Sequence, residues 1–140
     1  MRIITLLFVL ISLKGLCCSC IYQGEINDEQ FNFYDLIIHG EIEKVEEYEW
    51  TRTIYVRIKV QYKGMVKTEL VLISSPSQSG TCGVFPKVGE NWLIFANKSD
   101  GLYSKSLCTR TKNMNPESWH YNKDEIELDL KYLESKLKDK

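Results

Sequence analysis

Ile54-Tyr55-Val56-Arg57-Ile58-Lys59-Val60-Gln61-Tyr62-Lys63 sets Ile54, Val56, Ile58, Val60 and Tyr62 in strict alternation with Tyr55, Arg57, Lys59, Gln61 and Lys63. Successive side chains of a strand point to opposite faces, so this stretch reads as a strand with one buried and one wet face. Upstream, Leu36, Ile38, Gly40 and Ile42 alternate with Ile37, His39, Glu41 and Glu43, and Val45 breaks the parity. A bulge or strand end is therefore expected near Lys44. Downstream, Lys63-Gly64 supplies a turn, Leu70-Val71-Leu72-Ile73 is a short apolar strand, and Ser74 to Gly80 is a serine-rich loop that leads into Thr81-Cys82-Gly83. Pro86 and Gly89 turn the chain into the continuous apolar run Trp92-Leu93-Ile94-Phe95-Ala96, Asn97 to Gly101 read as a turn, and Leu102 to Cys108 return as a fifth strand. Strands spaced in this way by turn signals predict a mainly β fold. The simplest is a five-stranded barrel of the oligonucleotide/oligosaccharide-binding type with helices packed outside.

Two helices flank the strands. Between Glu25 and Tyr34 a short helix can be capped by Asn27 or Asp28. After a polar, irregular stretch from Thr109 to Tyr121, a helix is predicted over about 123–138, with Asn122 as cap and Glu125 as its reciprocal partner. Ile126, Leu130, Leu133 and Leu137 give it one apolar stripe, and Glu127 with Lys131 and Glu134 with Lys138 brace the exposed face.

Met1-Arg2 followed by an apolar run from Ile3 to Leu13 has the basic start and short hydrophobic core of a secretory signal, and the run is too short to span a bilayer. Signal peptidase favours small residues at its first and third subsites. Gly15 and Cys17 fit and would release Cys18, while a cut before Cys20 is the main competitor. A lipoprotein signal puts a small residue just before the modified cysteine and Leu three before it, and no cysteine here meets both conditions. The expected organisation is a signal peptide over residues 1–17 and one secreted domain over 18–140, with no transmembrane segment. If the chain is bacterial, the periplasm or a lipid anchor at the outer membrane replaces secretion.

Removal of the leader takes Arg2 and Lys14 and no acid, leaving 16 basic against 19 acidic residues, a net charge of −3. That balance disfavours nucleic acid as a partner. Of the 5 cysteines, Cys18, Cys20, Cys82 and Cys108 remain, an even number that in an exported chain implies two disulfides tying the leading pair to the later pair. The spacing lacks the paired Cys-x-x-Cys units of a structural zinc site, so no metal site of its own and no cofactor is expected.

No hydrolase or transferase constellation is visible, and an enzyme is not expected. His39 lies on the wet side of a strand, His120 in the irregular stretch beside Trp119, and Glu41, Glu43, Glu46, Glu47 and Glu49 read as a charged strand face with its exit loop. Asn97-Lys98-Ser99 fits a glycosylation acceptor but reads first as a turn. The N-terminus carries the sharper chemistry. A mature chain starting at Cys18 presents an α-amine beside its own carbonyl oxygen, a five-membered bidentate chelate. A catalytic zinc keeps one position open for water, and such a chelate could take that position.

Several features together resemble the N-terminal, netrin-like domain of the tissue inhibitors of metalloproteinases. They are Cys18-Ser19-Cys20 after a signal, Asp35-Leu36-Ile37-Ile38-His39-Gly40-Glu41, Ser75-Pro76-Ser77 through Cys82-Gly83-Val84, Val88-Gly89 before Trp92-Leu93-Ile94, and Leu107-Cys108. The resemblance spans Cys18 to Cys108 and implies the barrel already inferred, bridges Cys18–Cys82 and Cys20–Cys108, and a zinc metalloproteinase as partner. It assigns the zinc-chelating amine and carbonyl to Cys18, the contact in the specificity pocket to Ser19, and the contact ridge to Ser79, Gly80, Thr81 and Cys82. The zinc belongs to the target. The family's third bridge and cysteine-rich C-terminal domain have no counterpart here, and His39 and Glu41 stand where the animal inhibitors carry Arg and Lys. The second reading is a netrin-like extracellular interaction or adhesion module, free or lipid-anchored, whose disulfides are purely structural.

Overall fold

The computed structural model describes Cys20 and residues 23–78, 82–105 and 108–139. Five strands, β1 (Leu36–Glu47), β2 (Thr51–Lys63), β3 (Leu70–Pro76), β4 (Asn91–Ser99) and β5 (Leu102–Ser104), form the sheet, and β6 (Lys112–Asn113) adds to the outside of β4. The order β1-β2-β3-β5-β4 closes because β1 also pairs with β4, from Leu36↔Ala96 to Glu41↔Asn91. All ladders are antiparallel except β3–β5, a parallel seam of two pairs, Ile73↔Tyr103 and Ser74↔Ser104. This is the five-stranded barrel that the alternation predicts.

Two apolar layers account for the sequence pattern. Leu36, Ile38, Ile42, Ile54, Val56, Ile73, Trp92 and Ile94 fill the barrel, whereas Ile37, Tyr62, Leu93 and Phe95 point outward and are covered by Ile26, Tyr34 and Leu133. The run Trp92 to Ala96 is continuous because both of its faces are buried, one in the barrel and one under the helices. Bulges decide where β2 changes layer. Between β1 and β2 the register skips Tyr62, Lys59 and Glu43. The expected irregularity near Lys44 is thus the bulge at Glu43, and the two on β2 were not legible. They carry the unbroken alternation from Ile54 and Val56 inside the barrel to Val60 and Tyr62 under the helices, because each extra residue rotates the strand relative to its partner.

Local expectations shift in several places. Strand β3 runs on through Ser74, Ser75 and Pro76, which pair with Thr53, Arg52 and Thr51, so these residues belong to the sheet and not to the expected serine-rich loop, and β6 interrupts the stretch expected to be irregular. Asn97 and Ser99 belong to β4, and the turn is Asp100-Gly101, both at positive φ (50° and 83°) as a two-residue hairpin needs. Strand β5 stops at Ser104, and Cys108 lies in a turn, bridged to Cys20. Helix α1 (Asp28–Phe33) is capped by Asn27, whose side chain accepts from Gln30 N at 2.9 Å, so Asn27 rather than Asp28 is the cap.

Helix α2 (Lys123–Lys138) matches the predicted span, and the Asn122 side chain accepts from Glu125 N. Glu125 does not return the bond; its carboxylate takes Lys112 Nζ at 3.1 Å, a charged partner that a backbone N–H cannot match. Ile126 and Leu133 are buried, while Leu137 at the far end of the stripe is exposed. Among the described residues the i,i+4 ion pair of α2 is Lys123–Glu127 rather than the two expected pairs. No helix among the described residues is long and apolar enough to cross a membrane.

Candidate functional site

The cystine end of the barrel is assembled from four segments. Cys20 is bridged to Cys108 with Cα atoms 5.0 Å apart, and Gln23 Nε2 donates to the Cys108 carbonyl at 2.7 Å. Cys82 is also a half-cystine, at a positive φ of 56°. Its neighbour Gly83 crosses so close to β3 that a Cβ there would sit 1.9 Å from the Pro76 carbonyl oxygen, which only glycine permits. Val84 is then held from both sides, its N–H donating to Ser75 Oγ at 3.1 Å and its carbonyl accepting from Arg52 Nη1.

Arg52 organises this end. It is 3% exposed, its guanidinium lies 4.0 Å over the Phe85 ring, and its Nη2 donates to Glu47 Oε2 at 3.1 Å. Nε lies 2.9 Å from Glu47 Oε1 without the alignment of a hydrogen bond, so that contact is purely coulombic. The tip of the β1–β2 hairpin is tied to the same place. Ser77 N donates to the Trp50 carbonyl at 3.1 Å, Ser77 Oγ to that of Tyr48 at 3.0 Å, and Gln78 Nε2 to that of Glu49 at 3.0 Å. Tyr48, Trp50 and Phe85 are exposed around it.

Cys20, Cys108, Val84 and Trp92 share the wall of an open cavity of about 460 Å³, whose polar side carries Arg110 and Lys112. Arg110 is the anchor beneath it. Its Nη2 donates to Asp129 Oδ1 at 2.7 Å and to the Gly24 carbonyl at 2.8 Å, and its Nη1 to Gln30 Oε1 at 2.9 Å. Lys112 reaches Asp129 at 3.3 Å. Arg110, two residues after Cys108 in the chain, thus ties the N-terminal segment, α1 and α2 together. Sequence reading missed this hub, although Asp129, three residues after Ile126 on the apolar stripe, is the signal: a carboxylate in a buried position requires a cation.

Of the expected site residues, Cys18, Ser19, Ser79, Gly80 and Thr81 lie outside the described residues, as does the Cys18–Cys82 pairing and the junction between signal and domain. Of the described ones, Cys20 and Cys108 are bridged and share the cavity wall with Val84, which follows Cys82 by two residues. The acids of β1 form a charged face: Glu41 pairs with Lys59 at 2.8 Å, Glu43 with Arg57, and Glu46 with Lys44 at 2.5 Å. Half-buried His39 is pushed below the usual imidazole range by burial, with the nearby Lys59 charge adding to it. His120 is exposed against Trp119. Among the described residues no group of three or more His, Cys, Asp or Glu could hold a metal ion. No protein-family model matches the chain, and no curated protein matches it.

Proposed function

We propose that this protein is a secreted inhibitor of zinc metalloproteinases, similar to the tissue inhibitors, that acts through its own N-terminus. Removal of residues 1–17 frees the Cys18 α-amine. The amine nitrogen and the Cys18 carbonyl oxygen then occupy the open position of the target's zinc in place of water. The Ser19 side chain enters the specificity pocket, and Ser79, Gly80, Thr81 and Cys82 form the adjoining ridge.

One observation carries this reading: the described ends of both chain segments that would meet the target are immobilised on the barrel. Cys20, two residues after Cys18, is bridged to Cys108, and the chain just after Thr81 is held by Gly83, Ser75 and Arg52. A terminus that begins two residues from a bridged cysteine has little ordering entropy to lose on docking.

The test is the exported protein itself. Intact mass and N-terminal sequencing should give Cys18 with a free amine. A variant with one extra Ala before Cys18 should keep its unfolding midpoint and lose inhibition of a zinc endopeptidase by at least about a hundredfold, since the displaced amine removes both metal bonds. Undiminished inhibition by the extended chain, or an acylated amine on an active inhibitor, would refute the mechanism.

A further inference from the structure

Lys105, the residue after β5, is 3% exposed and carries a buried amine that has no hydrogen-bond acceptor and no ion-pair partner among the described residues. The Nζ lies 4.4 Å from the centre of the Trp92 ring. The charged group facing it is Arg52 of β2, itself engaged by Glu47 of β1; β4 contributes the Trp92 ring, and β3 contributes the Ser74 carbonyl, which accepts the Lys105 backbone N–H at 3.0 Å. A neutral amine sits in such surroundings at modest cost. An ammonium loses its hydration and meets a second cation, and only the ring face compensates it.

The position matters because of the seam beside it. Strands β3 and β5 join by two pairs, and the Lys105 N–H to Ser74 bond extends that junction by one. This parallel seam closes the barrel, and it is short beside the antiparallel ladders of β1 with β2 and β4.

We propose that Lys105 is a proton-operated latch on the β3–β5 seam: as the neutral amine it packs against Trp92 with the barrel closed, and on taking up a proton it leaves for water and loosens β5 from β3. The device concerns the closure of the barrel and holds whatever the N-terminus binds. Burial, with Arg52 second, pushes the amine well below its ordinary value of 10.5. The closed state therefore holds fewer protons than the open state between the lowered value and 10.5. Closure strengthens as pH rises through that window, and the penalty is complete below it.

The experiment titrates the exported chain, labelled at lysine Cε, by NMR between about pH 5 and pH 11. It also follows hydrogen exchange of the Tyr103 and Lys105 amides, corrected for the intrinsic dependence on pH. One lysine should titrate apart from and below the rest. Within the window the protection of both amides should fall about tenfold for each unit of pH lowered. Lys105→Met should remove that resonance and make protection independent of pH. If all lysines titrate together near their ordinary value, or if amide protection in the unsubstituted chain is flat with pH, the latch is overturned. A Lys105→Met chain that keeps the same pH dependence overturns it as well. The wild-type titration decides the matter even if the variant does not fold.

Discussion

Single residues decide which contacts of this molecule are expensive to lose. Asp129 is fully buried and accepts from Arg110 through both oxygens, with Lys112 at 3.3 Å as a second cation. Asp129→Ala should lower the unfolding free energy by about 3–5 kcal/mol, measured by denaturant titration, because it strands the Arg110 guanidinium in the interior. Replacing both partners, Arg110→Met with Asp129→Leu, should cost less than Asp129→Ala alone, since no charge is then left without a partner. Equal or greater loss in the double variant would mean that the contacts of Arg110 to Gly24 and Gln30 dominate the hub. Arg52 differs. Its cation reaches Glu47, a backbone carbonyl and an aromatic face at once, so its contribution is to hold Val84 and Phe85 in place.

At the scale of elements, α2 shows how a helix is placed by its start and its buried face more than by its exposed ion pairs. Asn122→Ala removes the cap on Glu125 N and should cost about 1 kcal/mol. Glu134→Gln and Lys138→Gln should each stay within about 0.5 kcal/mol, because neither side chain makes the expected i,i+4 pair. Thermal unfolding of the three variants checks the ordering; a Glu134 effect as large as that of Asn122 would contradict it. The hairpin between β4 and β5 illustrates the same point for strands. Asp100-Gly101 takes the positive φ values, which leaves Asn97 inside the strand, where its Oδ1 accepts from Asp35 N at 3.3 Å.

The whole molecule is a barrel whose N-terminal segment and β5–β6 connection are joined covalently. The Cys20–Cys108 bridge spans 88 residues of sequence, and Cys20→Ser with Cys108→Ser should cost about 4–5 kcal/mol in the chain-entropy account, read as a lowered denaturant midpoint. Much of this plan is legible in the chain. The alternation in Ile54 to Lys63 and the flanking apolar runs determine five strands, Asn122 marks the start of the long helix, and the start of the short one is narrowed to Asn27 or Asp28, because periodicity and caps are local physics. The cysteine count implies two disulfides without saying which residues pair, and Cys20–Cys108 is the one the described residues contain; the chemistry proposed for Cys18 follows from its covalent structure alone. Tertiary structure decided the rest. Where β2 passes from the barrel interior to the helix layer depends on bulges at Lys59 and Tyr62 set by the partner strand, and no local signal records a register. The pairing of Asp129 with Arg110, the clamp of Arg52 on Val84 and the unpartnered burial of Lys105 arise only when distant segments close on one another. The free energy of a charge depends on which groups surround it in space, not on its neighbours in the chain.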